Sequence, residues 1–266
     1  MEAREIHVET QSVGSFDSET ASAQQPGTYD SSNVFLPAEN FMQILAHEMR
    51  GPLAPLRAAG ALLRRAASDP DRVIQVAGIL DRQVTTMARL IDDVLDAFRL
   101  RLGNLAIHAE LVDLVTVVET AVESTLGFAE SRGHALITTL PQHALEVICD
   151  PDRVSQVIEN LVTNAAKYTN RGGMIEVRVD GFSDCASVSV IDDGIGLSAA
   201  DIGCIFELYG QAGQSGTQRS EGGLGIGLFL ARSLVEAQGG TLDAFSAGRG
   251  HGSEFVVRLP RSRSSL

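Results

Sequence analysis

The stretch "ILAHEMRGPLAPL", residues 44–56, joins a helical pattern to a histidine, a glutamate and a proline. His47 lies two residues beyond Leu45, about 200° around an α-helix, so we expect it to point away from the apolar side and into solvent. The adjacent Glu48 can bond one imidazole nitrogen, fix the tautomer and leave the other nitrogen nucleophilic. Pro52 removes a helical hydrogen bond to the carbonyl near His47 and bends the helix there. Taken alone, a helical histidine is more often structural, and such a proline is often only a tolerated kink.

The helical periodicity extends over residues 38–102 and predicts a helical hairpin. It is broken at "AASDPDR", 66–72, where Ser68 and Asp69 can cap a helix that Pro70 begins. The apolar positions of the first arm, at steps of three and four residues, are Phe41, Leu45, Met49, Pro52, Leu56, Ala59 and Leu63. Those of the second arm, interpreted as one heptad seam, are Val73, Val76, Leu80, Val84, Met87, Ile91, Val94 and Phe98. Two arms bury little surface by themselves, so we expect two copies to pair in a four-helix bundle and the protein to be a homodimer.

Composition limits the class of protein. The chain has 266 residues, of which 44% are hydrophobic, and its 21 basic and 34 acidic residues give a formal net charge of −13. That balance argues against nucleic acid or an anionic membrane as the main partner. Cys149, Cys185 and Cys204 are too few and too widely spaced for a disulfide framework or a CxxC metal site. With neither a signal peptide nor an apolar run of membrane-spanning length, the sequence predicts a soluble, cytoplasmic protein.

The rest of the chain predicts a second domain and two short flanking segments. Residues 1–37 are rich in Ser, Thr, Glu and Gln and predict a flexible leader, and residues 261–266 predict a tail. Within 105–260, alternating runs predict strands at 174–182, 187–192 and 254–260, and amphipathic runs predict helices at 113–133, 152–168 and 227–240. This mixed pattern predicts an α/β sandwich with helices on one face of a mixed sheet.

The first polar constellation of this domain lies in "ENLVTNAAKYT", 159–169. On a helix, Asn160, Asn164 and Lys167 fall at i, i+4 and i+7, so two amides and an ammonium share one face. Amide oxygens suit a hard cation such as Mg²⁺, and the lysine can neutralise phosphate oxygens. Tyr168 can belong to the core or stack on a base, and the spacing alone does not distinguish a site from a solvated polar face.

Glycine-rich segments form the second constellation: "DDGIG" (192–196), "GGLGIG" (222–227) and "GRGHGSEF" (248–255). Asp192 follows a strand and can accept a hydrogen bond from an exocyclic amine, while Gly194 and Gly196 let the backbone approach a ligand. "GGLGIG" precedes a helix that begins near Leu228, where backbone N–H groups suit a phosphate chain. Neither the dinucleotide-binding glycine pattern nor the GK[ST] ending of a phosphate-binding loop is present.

Taken in order, these segments resemble the transmitter core of a two-component sensor histidine kinase. The resemblance covers about 38–260 and rests on "HEMRGPL", "NLVTNAAKYT", "DDGIGL", "FELYGQ", "EGGLGIGL" and "GHGSEF". It implies a dimeric helical-hairpin domain (38–102) that presents a phosphoacceptor histidine. It also implies a Bergerat-type ATP-binding α/β sandwich (105–260). The fold class is thus a helical hairpin in a dimeric four-helix bundle, followed by an α/β sandwich.

The resemblance also implies a role for each matching residue. His47 is the phosphoacceptor and Glu48 its activating carboxylate. Asn164 is the magnesium ligand and Asn160 its companion. The residues implied in nucleotide binding are Asn160, Asn164, Lys167, Tyr168, Asp192, Gly194, Gly196, Gly223, Gly225, Gly227, Leu228 and Ser253. Residues 207–221 correspond to a mobile lid, from which Arg219 can reach phosphate.

The implied reaction transfers the γ-phosphoryl group of ATP to His47 and then to an aspartate of a response-regulator receiver domain on another chain. Two alternatives remain. The first is an ATP-hydrolysing Bergerat-fold machine, but such enzymes carry a water-activating glutamate four residues before the magnesium asparagine, where this chain has Asn160. Glu159 lies about 100° from that helix face. The second is a nucleotide-binding dimeric scaffold without chemistry.

One position departs from the family pattern. Many relatives carry Thr or Asn four residues after the histidine, and that side chain is thought to position the water that dephosphorylates the regulator. This chain has Gly51 at that position. Since glycine has no side chain to orient water, the sequence predicts ordinary kinase activity with weak phosphatase activity.

Overall fold

A computed structural model of the chain describes residues 38–65, 69–210 and 225–261. Its helices are α1 (Ala38–Arg65), α2 (Pro70–Arg101), α3 (Leu114–Ser131), α4 (Pro151–Tyr168), α5 (Ala199–Cys204) and α6 (Gly227–Glu236). Its strands are β1 (Glu110–Asp113), β2 (Ala135–Thr139), β3 (Glu146–Cys149), β4 (Met174–Gly181), β5 (Cys185–Asp192), β6 (Thr241–Phe245) and β7 (Ser253–Pro260). The predicted fold class, a helical hairpin followed by an α/β sandwich, is confirmed. The predicted leader 1–37 and almost all of the predicted tail lie outside the described residues.

The helical hairpin consists of α1 and α2, which pack along each other. α2 begins where the Asp69 side chain accepts a hydrogen bond from the Arg72 backbone N–H, at 3.2 Å, and Pro70 is its first residue. This confirms the predicted helix start, although Ser68 lies outside the described residues. α1 remains helical through both Pro52 and Pro55, and Pro52 is buried. Among the described residues, no helix has the combination of length and apolar character needed to cross a membrane.

Within a single chain, α1 and the ATP-binding domain cover only part of the predicted α2 seam. Val73, Val76, Leu80, Met87 and Val94 are partly or fully buried. Val84, Ile91 and Phe98 are instead 58%, 45% and 46% exposed. These three recur every seven residues and follow Leu80, Met87 and Val94 by four, which turns them about 40° around the helix. They form a separate exposed row on the hairpin, with Leu95 beside it.

The second domain is built on a five-stranded mixed sheet with strand order β2-β4-β5-β7-β6. Only β2 and β4 pair in parallel, and the other neighbours are antiparallel. Alternate residues of β4, namely Ile175, Val177 and Val179, are buried, as period-two alternation predicts, and β4 contacts α4. β1 and β3 form a separate two-stranded ribbon.

The core of this domain lies between the sheet and the three helices. Its fully buried side chains include Leu114 of α3, Ile158 and Leu161 of α4, Ile175 of β4 and Leu234 of α6. Burial of each such side chain contributes about 2 kcal/mol to stability. Cys149 is also buried, and burial raises the pKa of its thiol to about 11. The three cysteines are unpaired, as the sequence predicted.

Candidate functional site

The asparagine-bearing helix α4 fixes one wall of the candidate site. Asp150 caps α4 by accepting a hydrogen bond from the Arg153 backbone N–H at 3.1 Å. The apolar side of α4 is buried in the core. The opposite side carries Asn160, Asn164 and Lys167, all partly buried, as their spacing predicted. The Asn164 Nδ2 donates a hydrogen bond to the Asn160 Oδ1 at 3.3 Å. The two amides are therefore held together on the surface of one helix.

The first turn of α6 lies against this pair of amides. A Cβ atom added at Gly227 would be 2.7 Å from the Asn160 Oδ1, so only glycine fits there without displacing the asparagine. α6 begins at Gly227, one residue before the predicted start near Leu228, and no side chain caps its N-terminus. Uncapped N–H groups at a helix N-terminus suit a phosphate chain. The glycine-rich segment and the asparagine helix thus meet at one point.

Asp192, at the end of β5, is a buried acceptor in this site. Its Oδ1 accepts a hydrogen bond from the Gly194 backbone N–H at 2.8 Å, and its Oδ2 accepts one from the Ser253 hydroxyl at 2.5 Å. Burial raises the pKa of Asp192, and the hydrogen bonds from Ser253 and Gly194 oppose that rise. A carboxylate oxygen accepts more than one hydrogen bond, so Asp192 can still accept one from an exocyclic amine. The structure places Ser253, also predicted in the site, directly on Asp192.

The glycines of the first and third segments allow close backbone packing. A Cβ at Gly194 would be 2.5 Å from the Tyr168 carbonyl oxygen, which brings the "DDGIG" turn against the end of α4. Gly196 has φ +65°, and a Cβ there would be 2.2 Å from the Gly248 carbonyl oxygen. Gly252 has φ +67°, and a Cβ there would collide with the Asp192 carbonyl oxygen. Left-handed φ and these short approaches both require glycine. Gly227 and the first glycine segment therefore pack against the asparagine helix, and the third segment packs against the first.

An apolar surface lies beside Asp192. Tyr168 is 36% exposed and Ile195 is 37% exposed, and the Ile195 backbone N–H donates a hydrogen bond to the Tyr168 carbonyl at 3.1 Å. Tyr168 is therefore not a core residue, and its stacking on a base stays a prediction. A flat aromatic ring with an amine edge could lie on these side chains while its amine reaches Asp192.

Glu159 points away from this cleft. Its Oε1 accepts hydrogen bonds from the Ser124 hydroxyl of α3, at 2.8 Å, and from the Ser155 hydroxyl, at 3.5 Å. A glutamate held by two serines against a neighbouring helix is not placed to activate a water at Asn164. The structure therefore supports the sequence argument against glutamate-driven ATP hydrolysis.

The amides of α4 fit a magnesium ion that also binds phosphate. Among the residues that the structure describes, no group of three or more His, Cys, Asp or Glu side chains could hold a metal. Asn164 donates a hydrogen bond through Nδ2, so its Oδ1 is the amide atom that can bind a cation. Mg²⁺ usually takes one or two protein oxygens and completes its shell with water and substrate phosphates. Asn164 and Asn160 are suitable protein ligands for that arrangement.

Some predicted site residues cannot be compared with the structure. His47 and Glu48 lie within α1, but their side chains are outside the described part of the chain. Gly223, Arg219 and residues 211–221 of the proposed lid are also outside the described residues. Gly225 is described: it has φ +64°, and its carbonyl accepts a hydrogen bond from the Tyr209 backbone N–H at 2.9 Å. The described residues on the two sides of 211–224 are therefore hydrogen-bonded to each other.

The sequence did not identify two contacts that hold the glycine segments in place. The Ser246 hydroxyl accepts a hydrogen bond from the Leu197 backbone N–H, at 3.0 Å, and donates one to the Gly252 carbonyl, at 2.6 Å. The Arg249 guanidinium forms an ion pair with Asp201, at 2.6 Å. Ser246 lies two positions before "GRGHGSEF", and that proximity is its only signal in the sequence. The Arg249 pair joins residues 48 positions apart and has no local signal.

Two family models match the chain in the order that the fold suggests. Residues 38–103 match "His Kinase A (phospho-acceptor) domain", and residues 149–263 match "Histidine kinase-, DNA gyrase B-, and HSP90-like ATPase". The chain belongs to the sensor histidine kinases. Together the two matches span most of this transmitter core, from the histidine helix to β7.

Curated sensor kinases resemble this kinase core over most of its length. The histidine protein kinase DivJ of Caulobacter vibrioides is 30% identical over 222 residues, which are 83% of this chain and 37% of DivJ. The virulence sensor protein BvgS of Bordetella bronchiseptica is 35% identical over 214 residues, which are 78% of this chain and 17% of BvgS. The chain thus spans well under half the length of these relatives.

Solved histidine kinases share the fold. The histidine kinase AdeS of Acinetobacter baumannii superposes with a TM-score of 0.58 at 22% identity, covering 82% of this chain and 98% of that chain. Full-length ShkA, solved in complex with AMPPNP, superposes with a TM-score of 0.60 at 22% identity, covering 86% of this chain and 47% of that chain.

Proposed function

We propose that this kinase core binds Mg-ATP, transfers the γ-phosphoryl group to His47 and passes it to an aspartate of a receiver domain on another chain. The observation that carries the proposal is the contact between Gly227 and Asn160, which joins the phosphate-binding helix start to the magnesium amides. The same chain carries His47 on a separate helix. A nucleotide cleft and a helical histidine on one chain support transfer to protein rather than binding alone.

The cleft supplies a contact for each part of ATP. Asp192 accepts the adenine amine beside Tyr168, and Lys167 neutralises phosphate oxygens. The N-terminal turn of α6, with Gly225, Gly227 and Leu228, faces the phosphates. Bound Mg²⁺ would neutralise the charge of the phosphates, with Asn164 and Asn160 as its protein ligands.

The transfer needs little covalent chemistry from the protein. The unprotonated imidazole nitrogen of His47 attacks the γ-phosphorus in line, its bond to phosphorus forms, and the bond from phosphorus to the bridging oxygen of ADP breaks. Glu48 accepts a hydrogen bond from the other ring nitrogen and stabilises the positive charge that develops on the imidazole. Catalysis therefore consists mainly of bringing His47 and the γ-phosphate into alignment.

A homodimer is the second part of the proposal. The exposed row of Val84, Ile91 and Phe98 on α2 runs along one side of the hairpin. A row of apolar residues at heptad spacing suits packing against a second hairpin, which would form a four-helix bundle. A reducing, ATP-containing compartment such as the cytoplasm fits both the substrate and the three unpaired cysteines.

Incubation of the purified protein with ATP labelled at the γ-phosphate distinguishes the three candidate functions. A histidine kinase labels itself in proportion to protein, and releases little free phosphate. A Bergerat-fold ATPase releases phosphate continuously without labelling the protein. A nucleotide-binding scaffold does neither, although it binds ATP. Continuous phosphate release without protein label would contradict the proposal.

A further inference from the structure

The helical hairpin and the ATP-binding domain touch along one face of α2. α6 packs against α2, and Ala97 of α2 joins the same cluster of buried residues as the core of the ATP-binding domain. Side chains of α2 also reach α4: the Arg153 guanidinium forms an ion pair with Asp96 at 2.5 Å. Further along, the Arg89 guanidinium donates a hydrogen bond to the Thr163 hydroxyl at 3.5 Å. We call these two links the α2–α4 contact.

Asp96 is the buried centre of this contact. Its side chain is 4% exposed, and it also accepts hydrogen bonds from Gln156 Nε2 of α4, at 3.5 Å, and from Arg99 of its own helix, at 3.1 Å. A buried carboxylate that loses a charged partner is strongly disfavoured. If the two domains separate, Asp96 loses Arg153 and Gln156 at once. The Asp96–Arg153 ion pair therefore favours one docked position of the ATP-binding domain over neighbouring ones.

The α2–α4 contact aligns α4 along the hairpin. Between its two links, the residue number rises from 153 to 163 on α4 and falls from 96 to 89 on α2, so the helices run in opposite directions. The second link places Thr163, the neighbour of Asn164, beside Arg89. The magnesium-binding turn of α4 therefore lies near residue 89 of the hairpin.

His47 lies at the same height on the hairpin. In two antiparallel helices joined by a short turn, residues equally far from the turn are level with each other. His47 is 18 residues before the end of α1 at Arg65, and Ala88 is 18 residues after the start of α2 at Pro70. Ala88 adjoins Arg89, so His47 and Asn164 are at nearly equal heights along the bundle axis.

We propose that Asp96 and Arg153 are positioning residues for phosphotransfer, because their ion pair sets the height of the ATP-binding domain on the hairpin so that its phosphate-binding end is level with His47. The inference rests on the proposed kinase function. At that height, the γ-phosphate and His47 come together without a shift of the ATP-binding domain along the bundle axis. Loss of the pair lets the domain slide along the bundle, and small misplacements of reacting groups reduce rates strongly.

Charge reversal tests the proposal on the full chain. Asp96→Arg and Arg153→Glu are each compared with the double variant, which restores the pair in the opposite sense. We expect each single variant to lower the maximal rate of His47 phosphorylation on the order of tenfold or more, with the ATP concentration at half-maximal rate changed less than twofold. The double variant should recover most of the rate. That recovery would not follow if the residues only stabilised one domain.

Two further variants keep the test decisive if charge reversal prevents folding. Arg153→Gln removes the charge with little change in size, and Arg153→Lys keeps the charge, so the lysine variant should be faster. Arg258→Gln is the matched control, because it removes an ion pair of similar length, 2.6 Å to Asp243, within the sheet. Its rate should equal that of the unmodified protein.

Three outcomes would overturn the inference. The first is an unchanged or increased maximal rate of His47 phosphorylation in Arg153→Gln. The second is a loss of rate accompanied by an equally large rise in the ATP concentration at half-maximal rate. The third is a double variant that folds but phosphorylates His47 no faster than the single variants. If the unmodified protein acquires no label on histidine from γ-labelled ATP, both the proposed function and this inference are wrong. Equal labelling by the variants and the parent would remove the inference alone.

Discussion

Gly227 lies so close to Asn160 that an added methyl group would stand 2.7 Å from the Asn160 Oδ1. The relationship joins the helix that we propose to face the phosphates to the helix that carries the proposed magnesium ligands. Neither helix can shift without the other, so we expect a substitution at Gly227 to change the affinity for the metal and phosphate end of the nucleotide.

Gly227→Ala should therefore weaken Mg-ATP binding by roughly tenfold, because the methyl group displaces Asn160 from its place beside Asn164. Gly127→Ala in α3 is the matched control, since nothing lies within 4 Å of its Cβ position. Alanine stabilises an exposed helix by up to about 1 kcal/mol relative to glycine, so the control should melt slightly higher. Calorimetric titration with a non-hydrolysable ATP analogue measures the affinities. Equal affinity in Gly227→Ala and the parent would show that this contact does not shape the site.

Asn164→Ala should reduce the magnesium-dependent part of ATP affinity while the oligomeric state is unchanged. The Asn164 Oδ1 is the proposed ligand, and the bundle that forms the dimer is a separate part of the fold. The measurement is nucleotide affinity with Mg²⁺ and with EDTA, for variant and parent. If the gain in affinity on adding Mg²⁺ is the same in both proteins, Asn164 is not a ligand.

Ile91→Asp should convert the dimer to monomer, because it places a charge in the exposed row of α2 that we assign to the bundle. Thr85→Asp adds the same charge to α2 on an exposed position more than a quarter turn away, and serves as the control. Light scattering after size-exclusion chromatography gives the masses. A dimer that survives Ile91→Asp at micromolar concentration would place the interface elsewhere.

The sequence predicted what depends on local spacing. The shared face of Asn160, Asn164 and Lys167 follows from the period of a helix, and the Asp69–Pro70 start of α2 follows from local capping. The exposure of Val84, Ile91 and Phe98 in a single chain has no local signal, because the sequence shows which residues are apolar but not which of them another element of the same chain covers. β2, with only five residues, pairs with a strand 35 positions later, and such pairing has no local signal.

The Gly51 position predicts weak phosphatase activity. No atom of the described residues lies within 4 Å of the Cβ position of Gly51, so a threonine fits among them. Gly51→Thr should therefore speed dephosphorylation of the phosphorylated cognate receiver, measured with ADP and without ATP, and should leave His47 labelling unchanged. If the unmodified protein dephosphorylates the receiver as fast as the variant, Gly51 does not limit that reaction.

The central claim is that His47 accepts the γ-phosphoryl group of ATP, and chemical stability of the label tests it most directly. The unmodified protein and His47→Gln are incubated with Mg²⁺ and γ-labelled ATP, and the label is then exposed to acid or to alkali. We expect the unmodified protein to carry a label that acid removes and alkali does not, as for a phosphoimidazole, and His47→Gln to bind ATP but remain unlabelled. An acid-stable label, or equal labelling of His47→Gln, would contradict the account.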